Sequence, residues 1–344
     1  MPRVVLVTGV SRYLGGRLAT LMQADPAIER VIGVDVVPPR ADLGRTEFVR
    51  ADIRNPIITK VLASAEVDTV VHMNVVASVD GAGGRMSMKE INVIGSMQLL
   101  AACQKAPSVR TLVVKSTSAV YGSSARDPAL FTEEMEPRAV PRSGYAKDAF
   151  EVESYVRGFA RRRPDVAVTV LRFTDIVGPR IETPLTRYFS LPVIPTVLGF
   201  DPRLQFTHED DGIEVLRLAA SGEHPGIFNV SGPGVLPLSQ AARRAGRPTV
   251  PLLPAALAPV GRVLRRARLV DFSAEQVRFL HHGRAVDIGR LREDFGSLPR
   301  YSTRQAFDDF VHGRALRSYL PQGTVAEVER VVLGALAQRR TIGA

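Results

Sequence analysis

The sequence of 344 residues has a single cysteine, Cys103, which excludes an intramolecular disulfide and any cysteine-based metal cluster. No stretch approaches the roughly 18 uninterrupted apolar residues that a membrane span needs, so no membrane span is expected. There is no fixed-period repeat and no low-complexity tract. Neither a nucleophile elbow nor a P-loop is present, since no Gly-Lys-Ser/Thr follows the glycine-rich loop. Aromatic residues make up only 6% of the chain, and no RNP-like, zinc-finger or helix-turn-helix pattern accompanies its formal charge of +10. The excess is mostly Arg spread through the chain, so nucleic acid is not the expected partner. The positive field favours an anionic ligand such as a nucleotide. The densest basic run, Arg262 to Arg268, reads as a solvated helix face, with a polyanion or membrane contact as the alternative. The opening Met-Pro-Arg-Val-Val-Leu-Val-Thr-Gly runs straight into a strand, so the expectation is a cytoplasmic protein without a signal peptide.

What is present is an ordinary globular composition, 45% hydrophobic and 23% charged. The first half alternates short β-branched runs with helical patterns, as βαβ units do. Strands are expected at Val4–Val7, Val31–Val36, Glu47–Arg50, Thr69–Met73, Leu112–Lys115 and Val168–Phe173, and helices near Leu14–Ala24, Pro56–Ala65, Met86–Gln104 and Ser143–Arg162. This predicts an α/β fold, a Rossmann-type doubly wound parallel sheet over residues 1–178. A smaller C-terminal substrate lobe, interrupted by Pro184, Pro192, Pro195 and Pro202, is expected over 179–318, with some of its elements returning to the main sheet. Residues 319–344 are expected to carry an amphipathic helix, Val325–Gln338, docked on the body of the chain or, alternatively, forming a homodimer contact.

The segment Thr8-Gly9-Val10-Ser11-Arg12-Tyr13-Leu14-Gly15 follows a strand and opens a helix, the context expected of a dinucleotide-binding turn. Gly9 permits the tight turn, Gly15 a close helix–sheet approach, and amides at the helix N-terminus face a pyrophosphate. Ser11, Tyr13 and Leu14 complete the loop. Arg12 stands where the middle glycine usually lies, either crowding the phosphates or pairing with them through its guanidinium. Asp35 ends the second strand, where a carboxylate accepts hydrogen bonds from the adenosine ribose and repels a 2′-phosphate, so the cofactor expected is NAD. Asp52 and Ile53 follow the third strand and are placed to contact adenine.

With these elements in order the chain resembles the extended short-chain dehydrogenase/reductase superfamily, specifically its NAD-dependent epimerases and dehydratases, and within them a UDP-glucose 4-epimerase-like subgroup. The likeness runs through Val70-Val71-His72, Asn92-Val93-Ile94-Gly95, Ser116-Thr117-Ser118-Ala119-Val120-Tyr121-Gly122, Leu171-Arg172-Phe173, Val177-Gly178-Pro179-Arg180 and the closing Tyr301-Ser302-Thr303. It implies a nucleotide-sugar substrate, a UDP- or dTDP-sugar, and further cofactor contacts from His72, Asn92 and Ser116. It implies that Thr117 polarises the reacting oxygen and that Tyr145 is the acid/base, its phenol lowered from an ordinary pKa of about 10. Asp175 is implied near the substrate phosphates, with Arg180 and Arg203 offsetting its charge or standing as surface arginines.

One departure matters. In the family a lysine lies four residues after the tyrosine, and here that position is Ala149. Lys147 faces the other side of the helix, since two residues turn it by about 200°, and Asp148 raises the tyrosine pKa. The residues therefore leave two readings: a sugar-nucleotide oxidoreductase, or a catalytically weak NAD-binding sensor or scaffold. His281-His282 diverge too much for a metal pair and have no third ligand at a suitable spacing, so no metal is expected. His208, ahead of Glu209-Asp210-Asp211, is expected to cap a helix.

Overall fold

Val4 and Leu6 pack into one core while Val5 and Val7 pack into another, so the first strand is covered on both faces. Such a strand reads as a near-continuous apolar run, as in parallel sheets flanked by helices. The computed structural model describes residues 3–73, 84–138, 140–266, 274–296 and 299–316. Its strands are β1 (Arg3–Thr8), β2 (Ile28–Asp35), β3 (Glu47–Arg50), β4 (Thr69–His72), β5 (Thr111–Thr117), β6 (Ala167–Phe173), β7 (Asp175–Val177), β8 (Ile194–Val197), β9 (Arg203–Leu204), β10 (Phe206–His208), β11 (Gly226–Val230), β12 (Leu236–Pro237) and β13 (Thr249–Leu252). Seven of them form one sheet in the order β11-β6-β5-β4-β1-β2-β3, with every pairing parallel. The doubly wound architecture expected from the sequence is the one observed. Strand β11 comes from beyond residue 178 and pairs with β6, from Gly226 against Thr169 to Val230 against Phe173. The chain winds outward from β1 through β2 to β3, then crosses to β4. The crevice at the carboxyl ends of β1 and β4 is therefore the topological switch point where ligands bind in such sheets.

One helical layer, with Ile57–Ser64, Gly95–Lys105 and Gly144–Arg162, buries Ile58, Leu62, Leu99, Val152, Val156 and Phe159 on the sheet. Tyr13–Met22 and Glu209–Ser221 cover the other face through Leu18, Met22, Ile213 and Leu216. The helix expected at Met86–Gln104 spans Arg85 to Lys105 but is not regular. A π turn, Glu90–Ile94, interrupts it and buries Asn92. Single π turns inside α-helices frequently mark functional sites.

From Asp175 onward the strands other than β11 form short pairs, β7 with β10, β8 with β13 and β9 with β12. The core there is aromatic. Phe189, Phe206, Phe307 and Phe310 are fully buried, with the Phe189 and Phe307 rings edge to face at 4.8 Å. Truncating one such ring to Ala costs about 3–5 kcal/mol. Pro184 sits in the first turn of helix Pro184–Phe189, where Thr183 forms a capping box with Thr186. The expected helix Val325–Gln338, residues 81–83 of the glycine-rich segment Gly81–Gly84, and Arg268 of the basic run lie outside the described residues. No helix among the described residues is long and apolar enough to cross a membrane.

Candidate functional site

Gly9 leaves β1 with φ +76°, a conformation that disfavours any side chain. The turn closes through the Arg12 amide donating to the Gly9 carbonyl at 3.2 Å, and the Gly16 amide to the Arg12 carbonyl at 2.9 Å. A Cβ on Gly15 would meet the Gly9 backbone, with its carbonyl carbon 2.8 Å away. The close approach expected of this glycine is thus real: the helix start packs directly on the turn. Arg12 stands at the N-cap of helix Tyr13–Met22 without its side chain capping the first turn. Burial lowers its pKa from the ordinary value, against the pull of Asp35.

Asp35, at the end of β2, is 8% exposed. Its Oδ2 accepts from the Ser11 amide at 3.1 Å and from the Ser11 hydroxyl, and its Oδ1 accepts from the Val36 amide at 2.8 Å. The carboxylate is thereby fixed beside the glycine loop. Tyr13 and Leu14 take different directions. The Tyr13 hydroxyl donates to Glu209 Oε1 at 2.6 Å, which with burial raises its pKa to about 12, whereas Leu14 lines the central cavity. Glu209 Oε2 accepts from the amides of Arg180 at 3.2 Å and Ile181 at 2.8 Å.

Asp52 is held by Arg54, whose Nη2 lies 2.6 Å from Oδ2, and this pairing lowers the carboxyl pKa. Ile53 is buried in the core, its side chain against Gly95. His72 is enclosed between Thr8 Oγ1 at 3.0 Å and Ser96 Oγ at 2.8 Å, and burial pushes its pKa down to about 4. Asn92, in the π turn, donates to Asp148 Oδ2 at 3.2 Å. These four side chains, expected at the cofactor, are engaged with the protein itself.

At the carboxyl ends of β5 and β6 lies a cavity of about 180 Å³. Leu14, Ser116, Thr117, Tyr145, Asp175 and Arg284 are among its lining residues. The structure thus brings together the two expected catalytic residues, which the chain separates by 28 positions. Thr117 ends β5, its hydroxyl accepting from the Ala119 amide at 3.2 Å and hydrogen-bonded to Tyr145. Tyr145 stands in the first turn of helix Gly144–Arg162. Burial raises its phenol pKa, Thr117 lowers it, and Asp175, Asp148 and Glu153 raise it further. Asp148 thus acts in the direction read from the sequence, although Arg85 grips it with two hydrogen bonds of 2.6 Å.

Ser116 faces away from Thr117, donating to Glu153 Oε1 at 2.6 Å. Glu153 Oε2 in turn pairs with Arg172 Nη2 at 2.7 Å, and Arg172 donates to the Tyr121 hydroxyl at 2.8 Å. Ala149 is 1% exposed and packs with Val120, Tyr121, Phe131, Val286 and Ile288. Lys147 pairs with Glu151 at 3.6 Å, away from the residues lining the cavity.

Asp175 lines the cavity, its pKa raised by burial and held down by Arg284. Arg180 instead lines a second, open pocket beside the glycine loop. Arg203 is exposed on β9 and absent from the residues lining the cavity. Two cations that sequence reasoning passed over are present there. Arg284 donates to Ser118 Oγ, the Gly122 carbonyl and Ser123 Oγ. Lys115 lies two residues before Thr117, and that spacing on a strand was the available signal. His208 caps helix Glu209–Ser221 through Nδ1, 3.2 Å from the Asp210 amide, as expected. His281 and His282 stack at 4.2 Å, and no group of three metal-ligating side chains occurs among the described residues.

The parallel sheet agrees with the comparisons. The chain belongs to the NAD dependent epimerase/dehydratase family, which matches residues 5–231. It is 46% identical over 342 residues to an uncharacterised protein of Mycobacterium tuberculosis, covering 98% of this chain and 91% of that one. It is 26% identical to a probable UDP-arabinose 4-epimerase of Oryza sativa over 189 residues, 51% of this chain and 45% of that protein. The UDP-glucose 4-epimerase of Thermotoga maritima, solved with UDP-glucose, superposes with a TM-score of 0.69 at 19% identity, over 90% of this chain and 98% of that one. The dTDP-glucose 4,6-dehydratase of Bacillus anthracis, solved with NAD, superposes with a TM-score of 0.67 at 18% identity, over 91% and 96%. At these identities the solved structures show a shared fold.

Proposed function

We propose that this protein is an NAD-dependent oxidoreductase of the epimerase/dehydratase type, acting at a hydroxyl of a UDP- or dTDP-sugar. The observation that carries the reading is the meeting of the Thr117 and Tyr145 hydroxyls in one cavity beside the glycine loop. The residues present fit a dinucleotide. Gly15 lets the helix start pack against the Gly9 turn, the loop amides and Arg12 would hold a diphosphate, and Asp35 would hold the adenosine ribose. Bound there, NAD supplies a hydride acceptor for a sugar carbon. The chain's own groups supply the rest. Thr117 orients the reacting hydroxyl and Tyr145 takes up and returns its proton at the phenol oxygen. Asp175 and Arg284 line the space left for the sugar. The rice relative and the Thermotoga structure support a UDP-sugar as the substrate class.

A second reading, NAD binding without turnover, is favoured by one observation: no lysine follows Tyr145 by one turn, and Ala149 is packed in an apolar cluster. Assays decide between the two. NADH binding, followed by fluorescence, and conversion of UDP-glucose, UDP-glucuronate and dTDP-glucose, followed by chromatography, are to be measured on wild type and Tyr145→Phe. The proposed reaction predicts turnover that falls by about 10²-fold or more in the variant, with NADH binding retained. NAD bound normally, with no nucleotide sugar converted or raising the melting temperature, would sink the enzyme reading and leave the second one standing.

A further inference from the structure

Lys115 is unused by the reaction described above, yet it lines the same cavity. It stands on β5 two residues before Thr117, and alternate residues of a strand share a face. Its side chain therefore leaves the sheet on the side of Thr117, while Ser116 between them points to Glu153. Among the described residues its ammonium makes no hydrogen bond and no ion pair. Arg12 of the glycine loop and His72 of β4 are its electrostatic neighbours. Tyr145 of helix Gly144–Arg162, Asp175 of β7, and Glu275 and Arg284 of the smaller lobe line the remaining walls of the cavity. Burial and the repulsion of Arg12 push the Lys115 pKa down to about 8. A half-buried ammonium beside a like charge is unfavourable until an anion or a set of acceptors reaches it.

We propose that Lys115 is a ligand-contacting cation of this cleft, acting with Arg12 on the negative charge of a bound dinucleotide and supplying the positive group that Ala149 does not. The assignment rests on the reading that the cleft holds a dinucleotide. It has a consequence that a structural lysine would lack. In the free protein Lys115 is half-deprotonated near pH 8. A diphosphate favours its charged form, so binding draws a proton and affinity falls as pH rises above 8. His72 is already neutral there and Arg12 remains charged, so neither gives this slope.

The test is NADH titration at pH 7.0 and 9.5 on wild type, Lys115→Met and Lys115→Arg, with calorimetry in two buffers of different ionisation enthalpy. Wild type is expected to bind about tenfold more weakly at the higher pH and to take up a proton near pH 8.5. Lys115→Met is expected to bind about tenfold more weakly at pH 7.0, with neither slope nor proton uptake. Lys115→Arg should keep the pH 7.0 affinity and lose the slope, because its guanidinium stays protonated. Wild-type affinity and slope in Lys115→Met overturn the assignment. NADH binding by wild type without conversion of any nucleotide sugar would overturn the reaction proposed above and leave the Lys115 result intact.

Discussion

Acidification of the ligand-free protein tests the buried imidazole of His72. The residue is 2% exposed and spanned by Thr8 and Ser96. Burial first, and Lys115 second, hold its pKa at about 4, below the ordinary 6.5. Such a histidine is neutral in the native state and takes up a proton on unfolding at any pH between these values. Its contribution to stability is therefore fully present above pH 6.5 and is lost as pH falls towards 4. At about 1.4 kcal/mol per pKa unit the whole window amounts to about 3 kcal/mol, and the step from pH 7 to 4.5 to about 2 kcal/mol. Urea unfolding of wild type and His72→Gln at both pH values isolates this contribution, since carboxylates titrating in the same window act on both proteins and cancel in the difference. Wild type is expected to lose about 2 kcal/mol more than the variant. Equal losses in the two proteins would refute the reasoning, because they would mean that the native ring accepts its proton as readily as the unfolded one.

Three further outcomes follow from geometry. Glu153→Gln leaves Arg172 charged and 7% exposed without its carboxylate; denaturant unfolding at pH 7 should show a loss of about 3 kcal/mol. Gly15→Ala sets a methyl against the Gly9 backbone, so the loop must shift; NADH affinity should fall by about tenfold or more, with a lower melting temperature. Ala149→Lys places an ammonium among Val120, Phe131, Val286 and Ile288; it should destabilise the protein by about 3 kcal/mol in denaturant and raise no turnover.

The sheet was legible because its inner strands are covered on both faces, so their apolar runs announce them without neighbours being known; β3, a half-exposed edge strand, also agrees residue for residue. The glycine turn and Asp35 were legible for a related reason, since each lies at a strand end, where the local chain dictates direction, whereas Thr117 and Tyr145 were picked out by the family resemblance. What escaped depends on distant partners. Tyr13 reads as a phosphate-loop side chain, but its hydroxyl finds Glu209, 196 positions away. Arg284 reaches the cavity from the smaller lobe, and nothing in its neighbourhood of the sequence marks it. The π turn at Asn92 was invisible to periodicity because one wide turn scarcely disturbs an apolar stripe. Ala149 looked like a missing group in an open site, whereas residues from Phe131 and Val286 onward have closed around it.

Glu209 ties together two stretches of chain that are far apart in the sequence. One of its oxygens holds the hydroxyl of Tyr13, at the start of the helix behind the glycine loop, and the other holds the amides of Arg180 and Ile181, where the chain enters the smaller lobe. The start of that helix and the backbone at Arg180–Ile181 are thus braced by a strut one carboxylate wide. Removing that carboxylate therefore frees two distant stretches of chain in a single step, the Tyr13 hydroxyl beside the glycine loop and the amides of Arg180 and Ile181.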